Sequence, residues 1–287
     1  MRELTNSDHS RVSGNPALTI KHWVPAFAGT NVRASLEAMA CIAIVIGLIF
    51  SSTAHADQRD DFIAGRTRTC PGCDLSGLSF KRHDLSGADL TGAKLEKTTF
   101  HDTNLAGARL AGADLAEANL NKANLRRADL SGANLRAAML YAADLDAANL
   151  AGADLTEALM GTARFTRTDL TKSILRDADL RKTRFPDATL IGADLTGAAL
   201  DFAFLRAAKL DACRLGDTRL IGAEFTDASL VGADLSDADA AGANFRGANL
   251  TRANLAGTSF RKADLYNTVL EGASFRDTTM PDGTKQP

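Results

Sequence analysis

The chain predicts an all-β solenoid whose coil has four sides and twenty residues, and three regularities predict it. The first is a strict period of five. From Leu75 to Met280 every fifth position gives 42 residues, of which 31 are Leu, 8 are Phe and the others are Met160, Ala240 and Met280. The second is a small residue two places before nearly all of these, Ala in 29 of the 42 units. The third is the spacing of the acidic residues, which fixes how many units make one coil. A period this regular decides architecture before any local assignment is made.

Period five fits neither a helix, which wants apolar residues 3.6 apart, nor a simple strand, which wants alternation. The pattern is in-out-in-out-out. Ala and Leu point inward on a short extended step, and the next two residues turn a corner. Gly holds the second corner in 15 of the 42 units, Gly87, Gly112 and Gly132 among them. A type II turn needs positive φ there, and Gly supplies it without a Cβ clash. Most other units carry Glu, Lys, Arg, Asp or Ala at that corner, so a second turn type is expected for them.

Charge columns select the coil. Equivalent positions of neighbouring solenoid coils lie ~4.8 Å apart, and like charges stacked there are destabilising. The residue before the central Leu or Phe is acidic in 14 of 42 units. With twenty residues per coil, no such acid meets another. Asp74 meets Lys94, Asp89 meets Arg109, Asp114 meets Asn134, and Asp194 meets Arg214. Three units per coil would stack Asp114, Asp129 and Asp144, and five would stack Asp144, Asp169 and Asp194. The same register places Phe80 on Phe100, Phe165 on Phe185, and Phe225 on Phe245. Ala240 is a gap in the Leu column that Phe245 is expected to fill in part.

The unit Ala-Asp/Asn-Leu-x-x, the Cys70-Pro71-Gly72-Cys73-Asp74-Leu75 opening and the Met280-Pro281-Asp282-Gly283 ending resemble the pentapeptide-repeat family. The resemblance covers residues 73–280. It implies a right-handed quadrilateral β-helix, here of about ten coils and roughly 50 Å in length at ~4.8 Å per coil.

Five segments are expected. Residues 13–30 resemble the translation of a dispersed genomic repeat, and residues 1–31 are set aside as an N-terminal extension from a misassigned start. Residues 32–56 form a signal peptide: Met39–Phe50 is an apolar run too short to span a bilayer, and Ala54-His55-Ala56 is a cleavage pattern, with the cut between Ala56 and Asp57. Residues 57–73 form a lead-in cap, 74–280 the solenoid, and 281–287 a tail in which Pro281 and Asp282-Gly283 end the coil. This places the mature protein in the periplasm or outside the cell, with no stable membrane span after cleavage.

Composition narrows the function. Against 33 Lys and Arg stand 35 Asp and Glu, a net charge of −2. A nucleic-acid partner, which needs a basic surface, is not expected. No catalytic constellation, cofactor motif or metal motif is legible, and a filled solenoid provides no concave pocket. The chain reads as a non-enzymatic scaffold or protein-binding rod. Two alternatives remain. Family analogy offers a DNA-mimic protein that interacts with topoisomerases, and the Cys70–Cys73 pair offers weak thiol redox activity. For that pair a disulfide, a dithiol and part of a metal site are all open. His83 and Cys213 replace inward small residues and read as buried core groups.

The four faces differ. Within the repeat, the face centred on Leu75, Leu95 and Leu115 carries 6 basic and 12 acidic residues. The face centred on Phe80, Phe100 and Leu120 carries 8 basic and 4 acidic, including Lys81, Arg82, Arg181, Lys182, Arg261 and Lys262. The face centred on Leu90, Leu110 and Leu130 is smooth and nearly neutral, with Gly92, Gly112, Gly132, Gly152, Gly192 and Gly232 at its corners and Ile191, Val231 and Val269 outward. It is the expected contact face for a protein partner.

Overall fold

The computed structural model describes residues 58–286. The expected signal peptide, its cleavage position between Ala56 and Asp57, and Pro287 lie outside the described residues.

A single backbone pattern repeats through the chain. From Thr69↔Asp89 to Ser259↔Thr279, each residue before a central apolar residue pairs in parallel with the one twenty positions on. Four five-residue units therefore make each turn of a parallel β-helix. All four columns expected from the charges occur, including Asp74↔Lys94 and Asp114↔Asn134.

One unit, Ala88 to Gly92, shows why the motif is five residues long. Buried or not, each backbone N–H needs an acceptor, and all five have one. Ala88 N–H closes the preceding turn on Leu85 O at 3.1 Å. Asp89 N–H reaches back one coil to Arg68 O, and Leu90 N–H reaches forward to Arg109 O, both at 2.8 Å. Gly92 N–H also reaches forward, to Ala111 O at 2.9 Å. The fifth, Thr91 N–H, points at no carbonyl and is capped by Asp89 Oδ1 at 3.1 Å. The Asp or Asn of the motif is thus a corner cap, an Asx turn repeated at unit after unit. Its second role is to bridge coils: Asn124 Nδ2 donates to Asn104 Oδ1, and Asn104 Nδ2 to Asp84 Oδ1, each at 2.9 Å. Pro186 confirms the logic from the other side. It has no N–H to cap, and the residue in the capping position is Arg184.

The corner geometry corrects one expectation. There is no second turn type. Every second corner from Gly77 to Asp277 has positive φ, whether Gly132 at 62° or Glu157 at 61°. The first corners are not in that region, which makes these type II turns. Non-glycine residues adopt the same left-handed corner, and each of them from Arg82 to Lys262 donates its N–H forward to the next coil, for instance Glu157 to Arg176 O at 2.9 Å. Such a bond, worth about 0.5–1.5 kcal/mol net, offsets much of the roughly 1–2 kcal/mol that αL costs an L-residue.

The interior is one continuous apolar core from Phe62 to Ala263. Leu and Phe meet along the axis, and Ala fills the flanks where nothing larger fits. Each buried Leu contributes roughly 1.5–3 kcal/mol relative to exposure. Where Thr replaces Ala its hydroxyl stays satisfied: Thr168 Oγ1 donates to Leu145 O at 2.8 Å, and Thr258 Oγ1 to Leu235 O at 2.7 Å. The expected aromatic ladders form, Phe165 on Phe185 and Phe225 on Phe245 at 4.7 Å, and Phe80 on Phe100 at 5.6 Å. Phe260 lies one coil beyond Ala240 and meets Phe245 edge-on at 5.5 Å, and Ala240 itself is fully buried.

A short helix over residues 58–63 covers the first coil. Its Phe62 is buried and packs edge-to-face on Phe80 at 5.7 Å, while Ile63 is exposed. Arg59 Nε donates to Asp74 O at 2.7 Å, satisfying a carbonyl that has no earlier coil to meet. At the other end Gly283 turns the chain, and Lys285 pairs antiparallel with Thr279.

Candidate functional site

Cys70 and Cys73 are joined in a disulfide that spans the first turn, whose N–H of Cys73 also donates to Cys70 O at 3.3 Å. Both cysteines are buried against the short helix. His83 is not a core residue, contrary to the sequence expectation. It is exposed, its ring edge-on to Phe80 at 5.9 Å and its Nδ1 3.1 Å from Lys81 O. An imidazole is too large for a flank that elsewhere holds Ala, and in the first coil no earlier layer closes over it. Cys213 is buried as expected. Its Sγ meets Leu190 O, and burial pushes the thiol up to about 12. At ordinary pH it is a protonated, unreactive group. Among the described residues no group of His, Cys, Asp and Glu is arranged to hold a metal.

Gly92, Gly112, Gly132, Gly152, Gly192 and Gly232 are exposed along the glycine-cornered face. Its outward apolar residues are Ile191 and Val269, 39% and 45% exposed, while Val231 is half-buried.

A well-formed concavity among the described residues lies on a different face, the basic one centred on Phe80 and Phe100. It is an open groove of about 440 Å³ lined by Met139, Tyr141, Leu159, Gly161, Arg181 and Lys182 among others. Three local features build it. Met139 and Leu159 occupy the corner-cap position in successive coils, where Asp or Asn is the rule, and they pair directly. Aliphatic side chains thus stand where carboxylates would. Tyr141, its own cap lost, has its N–H capped from the previous coil by Asn121 Oδ1 at 2.8 Å. Gly161 leaves a notch: a Cβ there would lie 3.5 Å from Tyr141 Cδ2.

Charge at the groove is mostly paired. Arg181 grips Asp179 through Nε at 2.7 Å and Nη2 at 2.6 Å. The same contact lowers the Asp179 carboxyl below its ordinary range and raises Arg181. Arg219 pairs with Asp201 in the next coil along this face. Lys182 lines the groove and forms no ion pair among the described residues. Beyond the charged band, Phe202 and Ile221 resume the apolar strip at 53% and 38% exposure. The Phe202 ring lies over Gly222, where a Cβ would fall 2.7 Å from it.

Sequence reading found Arg181 and Lys182 but not the apolar residues beside them. The signal was available: two consecutive failures of the Asp/Asn cap, twenty residues apart, both filled by aliphatics.

This arrangement, a parallel β-helix with a filled apolar core among the described residues, defines a repeat protein of the β-solenoid class. The family description "Pentapeptide repeats" matches eight copies within residues 72–136, 143–239 and 241–277, more than half of the chain, and the chain belongs to the pentapeptide-repeat family. Among solved structures it is similar to HetL, a pentapeptide repeat protein involved in heterocyst differentiation regulation in the cyanobacterium Nostoc. Identity is 33%, the TM-score is 0.50, and the match covers 80% of this chain and 98% of that one. A thylakoid-lumen pentapeptide repeat protein of Arabidopsis thaliana matches at 30% identity over 39% of this chain and 70% of that one, with a TM-score of 0.24. QnrB1, a plasmid-mediated fluoroquinolone resistance protein, matches at 20% identity over 71% and 92%, with a TM-score of 0.39. No curated protein matches the chain in sequence.

Proposed function

We propose that this chain is an exported, non-enzymatic rod that binds another protein along its outer faces. The observation that carries the reading is the filled core: the interior from Phe62 to Ala263 leaves no enclosed site, so recognition belongs to the outward positions. The rod is four-sided and right-handed, with about ten coils between residues 74 and 280, and the short helix and disulfide of residues 57–73 serve as its lead-in. Export is supported by the apolar run Met39–Phe50 followed by Ala54-His55-Ala56, with cleavage before Asp57 and a periplasmic or secreted product. The Cys70–Cys73 disulfide suits an oxidising compartment.

The primary contact surface is the Tyr141 groove, because a half-exposed aromatic beside a half-exposed Leu159 is the composition that interface centres favour. The glycine-cornered face from Gly92 to Gly232 is a secondary surface, suited to close backbone approach.

A photo-crosslinking residue at Ala142, beside the groove, tests the reading in cells that export the protein. One at Glu157, on the acidic face, is the control. The expected result is a discrete adduct with one protein from Ala142 and none from Glu157. No adduct from Ala142, or from a third position on the glycine face such as Ala111, would overturn the binding-rod reading. N-terminal sequencing of the same material tests export and is expected to begin at Asp57.

A further inference from the structure

The strip around the groove repeats along the axis in a definite order. Tyr141 and Leu159 form an apolar end, Arg181 and Lys182 a cationic middle, and Phe202 and Ile221 a second apolar end. All belong to one face, in five successive coils. Three coils separate the two apolar ends, about 14 Å at ~4.8 Å per coil. Four residue steps of extended chain span about 13 Å, and the first, third and fifth side chains of that five-residue stretch point the same way. The middle of the strip is where one cation, Lys182, has no ion-pair partner among the described residues, although Asp179 and Asp201 on the same face are both taken, by Arg181 and Arg219. Gly161, at the groove, follows Leu159 rather than Asp or Asn, so its N–H also lacks the usual cap.

We propose that this strip docks an extended peptide segment of a partner protein in which one acidic residue lies midway between two apolar residues four positions apart. The first apolar side chain fills the notch over Gly161 between Tyr141 and Leu159. The carboxylate meets the Lys182 ammonium. The second apolar side chain packs on Phe202 and Ile221. Charge complementarity selects an acidic rather than basic segment, and the coil spacing selects an extended one. This rests on the binding-rod reading and specifies its partner.

The test uses the purified mature protein and a dye-labelled Gly/Ser peptide carrying two leucines four positions apart with a glutamate midway, followed by fluorescence anisotropy. A counterpart with lysine for the glutamate is the charge control. The acidic peptide is expected to bind at least ~10-fold more tightly than the basic one. Lys182→Glu is expected to reverse that order. Gly161→Gln is expected to weaken the acidic peptide at least ~10-fold by filling the notch. That variant is expected to fold normally, because residue 161 is a first corner outside the positive-φ region and its Cβ meets only ordinary contacts. An unchanged melting temperature verifies this. Equal binding of the two peptides, or no effect of either substitution, overturns the assignment. So does saturable binding of a single-stranded oligonucleotide that Lys182→Glu abolishes, or self-association that Gly161→Gln abolishes. If the peptides fail while Ala142 still cross-links a partner in cells, the peptide class falls and the binding-rod reading stands.

Discussion

Asp146 and Thr166 are twenty residues apart, and the carboxylate of the first accepts the N–H of the second at 2.9 Å. The usual cap for that N–H would come from position 164, which is Arg. The chain replaces a cap within the unit by one from the preceding coil, as it does again between Asn121 and Tyr141 and between Asp211 and Val231. Asp146 is only 6% exposed and is also held by Arg164 and by Arg126 Nη1 at 3.2 Å. Burial alone would raise its carboxyl, but the Thr166 and Arg164 contacts outweigh burial and lower it. Asp146→Ala removes the cap and leaves the Arg164 guanidinium without its carboxylate, while Arg126 keeps its contact to Asp144 at 3.2 Å. The expected cost is about 2–3 kcal/mol, read as a lower urea midpoint at unchanged slope. Asp146→Asn keeps the acceptor and is expected to cost less than the Ala variant.

The uniform corner geometry predicts an unusual gain. Ala137 has φ of 52°, a conformation that costs an L-residue roughly 1–2 kcal/mol. Ala137→Gly relieves that strain and loses about 0.4–1 kcal/mol through the unfolded chain. The net expectation is a small stabilisation, up to ~1 kcal/mol, where Gly normally weakens a structured segment. Ala142→Gly and Ala147→Gly, at φ of 55° and 59°, are expected to add to it. Thermal melts of the single and triple variants check this, and a fall in melting temperature would contradict the left-handed corner.

The architecture was legible because it is one-dimensional. A core position that recurs every fifth residue leaves no freedom of register, and the charge columns fix the coil, as Asp89 and Arg109 show by pairing at 3.3 Å. The turn type at Glu157 was not legible, because residue preference describes isolated turns while here the repeated coil gives Gly and non-Gly corners the same positive φ. His83 failed for a related reason: its position reads as inward by period, but the first coil has no layer beneath it. The groove was only half legible. Arg181 and Lys182 stand out as charge, whereas Met139 and Leu159, outward by period, show as a shared apolar patch only once the bridge between them sets them side by side in successive coils.

Leu170 tests the packing of the middle coils. It is fully buried, and its N–H and carbonyl neighbours tie it to the coils on either side. Leu170→Asp would place an unpaired carboxylate in that core, at a cost above ~4 kcal/mol. Leu170→Ala is expected to cost about 2–5 kcal/mol. Because each coil contacts only its neighbours, the Asp variant should unfold locally first. Hydrogen exchange is expected to lose protection in the coils around residues 150–190 before the ladders near Leu90 and Leu250, and protection lost evenly along the chain would argue against nearest-neighbour stability.

The lowered carboxylates set a direction for acid unfolding. Burial opposes ionisation of Asp194 most strongly, but the Thr196 hydroxyl and Arg176 outweigh it, so its folded carboxyl lies below the ordinary 3.8. Asp84, capping Ser86 and pairing with Arg68, is lowered to about 2. A group that ionises more readily in the folded than in the unfolded chain contributes stability that is complete above the unfolded value. That contribution is lost as pH falls through the folded one. The melting temperature is therefore expected to be level from pH 7 to about 4 and to fall only below that, towards pH 2. Asp194→Asn keeps the amide oxygen that caps Thr196 N–H and loses the contacts to Arg176 at 2.6 Å and Arg214 at 3.4 Å. Its melting temperature should lie below the wild type at pH 7, and the difference should shrink as the solution is acidified below 3.8. A difference that stayed constant through that range would mean that the cap geometry, and not the ion pairs, is what Asp194 contributes.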